Sequence, residues 1–290
     1  MTGKMKMQNI LTIDVEDYFQ VENLKETVKY SDWEKYECRV IKNTDKVLDI
    51  LDRYSTKATF FVLGWLAERY PELVKKIDGA GHEIASHGYA HNLIYEQSQE
   101  DFRADLRRSK TILENIIKHP IVGYRAPSYS ITKKSVWALD ILMDEGFEYD
   151  SSLFPIYHDL GGLPDAKRYP NEIRNNRHSI IEIPISTVKI VGKNIPFSGG
   201  GYLRLLPYRL IRWAAKQVNR EGYPVVIYLH PWEFDKDQPR IKTGRIKSFR
   251  HYVNLHKTVE KFKKLLNDFK FTSIKDFLKN QRPETLYEKN

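Results

Sequence analysis

A chain of 290 residues, 41% of them hydrophobic, is long enough to bury a full-sized core, and 29% charged residues without a long Pro, Gly, Ser or Gln tract exclude extensive disorder. The lone Cys38 excludes an internal disulfide, and no apolar run approaches the roughly 18 residues that a membrane helix requires. The net charge of +9 suits anionic partners such as lipid-linked sugar phosphates or a membrane surface, but its concentrations at Arg240–Arg250 and Lys257–Lys264 read as solvated faces, and no nucleic-acid binding is expected.

Short β-rich runs alternate with helical periodicity from near the start, the layout of a parallel sheet with crossover helices. Ile10–Val15 reads as a strand, and Val40, Thr44, Val47, Leu48 and Leu51 recur at helical spacing before a second strand at Ala58–Leu63. One helix is predicted over Leu66–Ile77, closed by Gly79–Gly81, and Glu83–Ser86 follows as a third strand. A helix over Gln99–Ile117 turns Phe102, Leu106, Leu113 and Ile116 inward, and a fourth strand begins at Val122–Tyr124. Thr132 is placed as the N-cap of a helix carrying Val136, Leu139, Leu142 and Met143 that ends at Gly146, ahead of a strand at Phe147–Ser151. The irregular stretch Leu153–Arg177 is rich in Pro, Gly, Asp and Asn, and a loop of that length is expected to wall a site. Strands at Ile180–Ser186, Val225–Leu229 and Phe271–Ile274, with helices near Pro207–Arg220 and Tyr252–Phe269, complete an α/β alternation. Periodicity alone leaves a barrel and an open doubly wound sheet both open. No GxGxxG or GxxxxGK[ST] stands where the first strand meets its helix, which removes the common nucleotide-binding signatures.

Ionisable residues gather just past the ends of these strands. Asp14, Glu16 and Asp17 follow the first, His87 and His91 the third, Arg125 the fourth, Asp150 the fifth, and His230 and Trp232 a late one. In parallel α/β folds those ends converge on one face. Singly, each has a plain explanation as a helix cap, a turn residue or a structural ion pair. Together, a carboxylate and two neutral imidazoles suit Zn²⁺ or a similar divalent ion with an open position for water. A spare carboxylate as base, an arginine to hold it and a separate histidine to protonate a leaving amine complete the parts of an amide hydrolase.

These motifs resemble the polysaccharide deacetylases, carbohydrate esterase family 4 or the NodB-homology group. The resemblance runs through TIDVEDYFQV, GHEIASHGYAH, GYRAPSYSI, YDSSLFPIYHD, SGGGYLRLLP and YLHPWEFDKDQPR, continues into FRHYVNLHKTVEKF, and is closest to the branch associated with bacterial exopolysaccharide and exosortase loci. It implies a distorted (β/α) barrel with about seven parallel strands, in one domain over residues 1–290, with catalytic motifs within 12–232 and a C-terminal helical extension over 233–290. The implied reaction is hydrolysis of the N-acetyl group of a sugar in a cell-surface polysaccharide, an exopolysaccharide or a precursor. By position, Asp14 is the implied general base, His87 and His91 metal ligands, Arg125 the partner of the base, His230 the general acid and Leu229 part of the pocket for the acetyl methyl. Asp150 is the implied residue orienting His230, and a backbone N–H near Pro127–Tyr129 the implied oxyanion donor. Tyr129, Trp232 and Tyr202 are candidates for stacking on sugar rings, His158 for touching substrate, and His82 for a packing role.

The third ligand stays open, because the adjacent Asp-Asp of many family members is here Asp14 followed by Val15, Glu16 and Asp17. Strand alternation puts Glu16 on the face of Asp14, whereas a bulge would bring in Asp17, whose shorter carboxylate matches the family's shell. The cofactor expected is Zn²⁺, with Co²⁺ as the alternative. MTGKMKMQNILTIDV lacks the apolar stretch and cleavage site of a secretory signal, so a cytoplasmic setting and a precursor substrate, lipid-linked or free, are expected. Deformylation of a lipid-linked amino sugar, opening of a cyclic ureide and silent sugar binding are the rival readings.

Overall fold

A computed structural model of the chain describes residues 7–280; residues 1–6 and 281–290, the two ends of the expected 1–290 domain and 233–290 extension, lie outside the described residues. The strands are β1 (Gln8–Val15), β2 (Thr59–Val62), β3 (Glu83–Ser86), β4 (Gly123–Tyr124), β5 (Tyr149–Asp150), β6 (Asn171–Arg174), β7 (Ser179–Glu182), β8 (Thr187–Ile190), β9 (Lys193–Pro196), β10 (Val226–Leu229) and β11 (Lys270–Thr272). The helices are α1 (Val40–Arg53), α2 (Gly64–Arg69), α3 (Pro71–Gly79), α4 (Gln99–Ile117), α5 (Trp137–Asp144), α6 (Gly200–Leu205), α7 (Tyr208–Arg220), α8 (Arg245–Tyr252), α9 (Thr258–Asp268) and α10 (Ile274–Asn280).

Nine strands form one sheet in the order β10-β1-β2-β3-β4-β5-β7-β6, with β11 paired to the amino-terminal end of β1. All pairings in it are parallel except β6 with β7. Burial on both faces explains the near-continuous apolar reading of these strands: β1 is buried from Asn9 to Val15 and β2 throughout. The sheet curls into a half-barrel, the distorted barrel expected. Where β7 and β10 would meet, loops bridge the gap, with Val226 N donating to Ser186 Oγ (2.8 Å) and Tyr228 N to Ser198 O (3.1 Å). β8 and β9 form a separate antiparallel hairpin. No helix among the described residues is long and apolar enough to cross a membrane.

Three readings of the sequence need correction. The helix expected over Leu66–Ile77 is two: Pro71 lacks an amide donor and forces Tyr70 out of helical geometry (φ −128°, ψ 58°), so α2 stops at Arg69 and Pro71 opens α3. Thr132 does not cap α5; its amide donates to Ser135 Oγ (2.9 Å) in a turn, and the helix starts at Trp137. The helix expected over Tyr252–Phe269 is the end of α8 and the whole of α9, separated at Asn254, whose φ is +51°. The strand expected at Phe271–Ile274 is β11, which returns to the sheet beside β1.

Candidate active site

β1 delivers the first acids. Asp14 and Glu16 follow each other on one face as alternation requires, and both reach the cavity at the carboxyl ends of the strands. Glu16 Oε1 lies 3.1 Å from His87 Nε2 and 3.1 Å from His91 Nε2, all three side chains being buried. The loop after β3 makes this convergence. Gly88 has φ +71°, and a Cβ there would stand 2.9 Å from Asp105 Oδ2, the carboxylate of α4 that accepts the Tyr89 N–H at 2.8 Å. His91 itself takes the left-handed conformation (φ 55°), which closes the turn and brings the two rings to 5.4 Å. His87 Nδ1 is 2.8 Å from the Arg125 carbonyl oxygen, an acceptor only, so Nδ1 carries the proton and the Nε2 lone pair faces Glu16. Burial opposes charge on Glu16, but the charges of His91 and His230 hold its carboxyl well below the usual carboxylate range.

The ligand atoms of Glu16, His87 and His91 lie within 4.8 Å of one another. Two imidazole nitrogens and one carboxylate oxygen, buried and convergent, fit a borderline divalent cation such as zinc. Asp17, the other acid left open, is elsewhere. Its Oδ2 accepts the amides of Arg39 (2.6 Å) and Val40 (2.8 Å) at the start of α1, and its Oδ1 that of Tyr18 (2.8 Å). Those three donors occupy it, and no bulge turns it inward.

Arg125 is fully buried, and each of its three nitrogens donates a hydrogen bond. Its Nη1 donates to Asp14 Oδ1 (2.6 Å) and Thr12 Oγ1 (2.7 Å), its Nη2 to Ser151 Oγ (2.7 Å) and its Nε to Ser151 O (3.0 Å), with Phe61 beneath the guanidinium at 4.2 Å. Asp14 is thereby left with Oδ2 toward the cavity, 3.9 Å from His230 Nε2. His230 Nε2 is also 3.9 Å from Glu16 Oε1, and its Nδ1 is 3.3 Å from Glu233 Oε2. Burial would lower the His230 pKa, but the charges of Glu16, Glu233 and Asp14 push it up to about 9.

Three expected roles are not supported by position. Asp150 does not reach His230; its Oδ1 accepts Ser152 Oγ–H (2.5 Å), and it faces Glu182 across the β5–β7 pair, where burial and the charge of Asp150 raise the Glu182 pKa well above its ordinary value. Leu229 is fully buried in the core and absent from the cavity wall, because the alternation that presents Tyr228 and His230 turns Leu229 the other way. Trp232 borders the cavity, yet its ring is stacked between His230 (5.3 Å) and His251 (4.3 Å) and is only 4% exposed, so it packs rather than offers a face to a sugar. The residues missed are Glu233 and Arg204, signalled only by the three-residue spacing of His230 and Glu233, a capping-box spacing.

The cavity holds about 470 Å³ and is walled by Tyr129, Tyr228, Phe154 and Tyr202 on one side, with His158 and Leu160 from the long irregular segment. Phe249 of α8 and Leu205 of α6 stand exposed at its mouth. His82 is remote from it, packed against Phe60 (5.0 Å) with Nδ1 accepting the Ala58 N–H (3.2 Å), as expected of a packing residue.

Residues 36–143 match the family described as polysaccharide deacetylase, and residues 151–279 match a domain of unknown function (DUF3473). A peptidoglycan-N-acetylglucosamine deacetylase of Bacillus cereus is 33% identical over 98 residues, covering 33% of this chain and 36% of the relative. A peptidoglycan deacetylase of Helicobacter pylori is 29% identical over 152 residues, 48% of this chain and 51% of the relative. The chain thus spans about a third to a half of the length of these relatives. A Mycobacterium smegmatis crystal structure assigned as a polysaccharide deacetylase shares the fold, with TM-score 0.63 and 23% identity over 97% of this chain and 92% of that one. PuuE allantoinase shares it too, with TM-score 0.61 and 15% identity over 96% and 91%. The matched segment carries His87, His91 and Arg125, while Asp14 and Glu16 precede it and His230 follows it. Through residues 36–143 the chain is similar to the polysaccharide deacetylase family.

Proposed function

We propose that the protein is a metal-dependent amide hydrolase that removes the acetyl group from an N-acetylated sugar. The observation that carries this reading is the placement of Asp14 and His230 beside the Glu16–His87–His91 cluster, with His230 Nε2 3.9 Å from the carboxylates of both Asp14 and Glu16. A base and a proton donor flanking one buried cation site are the requirements of amide hydrolysis.

Arg125 fixes Asp14 Oδ1, so Oδ2 takes the proton of the attacking water as its oxygen bonds to the acetamide carbon. The Tyr129 amide is committed to Ala126 O (3.1 Å); that of Ser128, at φ 52° and bordering the cavity, has no acceptor among the described residues and is the donor for the developing oxyanion. His230 then gives its Nε2 proton to the sugar nitrogen as the carbon–nitrogen bond breaks, leaving acetate and a free amino sugar. A divalent cation held by Glu16, His87 and His91 would polarise the carbonyl and acidify the water; Zn²⁺ suits the donor set, and Co²⁺ is the natural substitute. The aromatic wall of Tyr129, Tyr228 and Tyr202 suits a pyranose ring, and the exposed Phe249 and Leu205 at the mouth suit a lipid-linked precursor handled in the cytoplasm for an exopolysaccharide.

The test is release of acetate from a panel of N-acetylated sugars, including chitooligosaccharides and peptidoglycan fragments, by zinc-loaded protein. Equimolar acetate and free amine are expected. Formate release or opening of a cyclic ureide would replace the reading with one of its neighbours, and binding without turnover would replace it with a silent sugar-binding role.

A further inference from the structure

The proposed reaction leaves unexplained why two buried charged residues, Glu233 and Arg204, stand behind His230, and why the chain places glycine at both 199 and 200. The geometry answers both. Glu233 Oε2 accepts the His230 backbone N–H (3.0 Å) and lies 3.3 Å from His230 Nδ1, while Glu233 Oε1 accepts from Arg204 Nε (2.9 Å). Arg204 is anchored in turn, Nη1 donating to the His251 carbonyl at 2.7 Å. A Cβ at Gly200 would stand 1.7 Å from Glu233 Oε2, and one at Gly199 2.3 Å from the Tyr228 ring, so these two glycines are the space the carboxylate and the ring occupy.

We infer that Glu233, locked by Arg204 and seated over Gly200, is the positioning residue that holds the proton on His230 Nδ1 and aims Nε2 at the cavity. The inference rests on the reading of His230 as proton donor. A carboxylate accepts only, so the proton at Nδ1 stays there throughout; the one that leaves is on Nε2, and the ring becomes the neutral Nδ1–H tautomer when the sugar amine departs. The Trp232 ring at 5.3 Å, itself backed by His251, prevents the imidazole from turning out of this plane. The link takes the place that sequence analysis assigned to Asp150.

Two variants test it, with the ring state and turnover read separately. Glu233→Gln keeps the shape but presents an amide that Arg204 orients with its oxygen toward the guanidinium and its NH₂ toward His230; Gly200→Ala displaces the carboxylate without altering it. Histidine ¹⁵N NMR of the zinc-loaded protein should show His230 with Nδ1 protonated in the wild type and with the proton moved to Nε2 in Glu233→Gln. Hydrolysis of N-acetylated chitooligosaccharide should fall on the order of 10²-fold in kcat with KM little changed, in Gly200→Ala in smaller measure, while hydrolysis of 4-nitrophenyl acetate, whose leaving group needs no proton, should be retained. Loss of both activities in parallel, or an unchanged His230 ring state in Glu233→Gln, would overturn the inference. If the wild type released acetate from no N-acetyl sugar, the proposed function would fall, and the ring state would still decide the role of Glu233.

Discussion

His87 and His230 face the same cavity from opposite halves of the chain, and they are held in opposite ways. His87 rests its Nδ1 on a neutral backbone carbonyl, that of Arg125 at 2.8 Å, whereas His230 rests its Nδ1 against the carboxylate of Glu233 at 3.3 Å, backed by Arg204. A ring propped on a carbonyl keeps a free lone pair at Nε2, the state a cation needs. Facing a carboxylate at Nδ1, the second ring is stabilised when charged and carries on Nε2 the proton that the proposed reaction uses. In the proposed reaction one amino acid thus serves two roles, set by what stands behind each ring.

The contrast breaks most visibly if the cation is removed. Chelation should abolish acetate release and added Zn²⁺ or Co²⁺ should restore it; full turnover by protein shown metal-free by elemental analysis would end the assignment of Glu16, His87 and His91. Glu16→Gln should likewise lose zinc affinity. Removal of the proposed base comes next: Asp14→Asn should lower kcat by a factor on the order of 10²–10⁴ with zinc still bound, measured by acetate release and metal content. Asp17→Asn sharpens the comparison from the other side. It should keep zinc affinity and lose about 1 kcal/mol of stability in urea unfolding, because what it weakens is the capping of α1. The reverse ordering of zinc affinities in the Glu16 and Asp17 variants would transfer the ligand role.

The smallest effect concerns His82, a buried histidine with neither job. Burial pushes its pKa down to about 4, so between that value and the ordinary unfolded value near 6.5 the unfolded chain binds a proton the folded chain refuses. Stability should therefore fall as pH drops from about 6.5 to about 4, by roughly 2 kcal/mol from this ring. His82→Gln should flatten that slope in unfolding curves taken at both ends of the window; an unchanged slope would show that other groups carry it.

Much of the site was legible because each acid, histidine and arginine follows a buried strand, and parallel pairing turns that regularity into convergence. Glu83–Ser86 and Gln99–Ile117 match β3 and α4 at both ends, the first starting just past the Gly81 turn and the second opened by the Ser98 cap. The hairpin of β8 and β9 was not legible, for it is short and half-exposed and shows only weak alternation. Nor was the support of His230. It depends on the turn at Pro231 bringing Glu233 back under the ring, and on Arg204 arriving from α6, and neither contact leaves a periodic mark in the sequence. Strand alternation did separate Glu16 from Asp17, but only the amides of Arg39 and Val40 show why Asp17 stays away.

The division of labour between the two histidines is tested most directly by His230→Ala, with zinc content and acetate release measured on the same preparation. The expected result is unchanged zinc occupancy with turnover reduced by a factor on the order of 10²–10⁴. Loss of the metal together with activity would make His230 a ligand and contradict the assignment of cation and proton to separate rings.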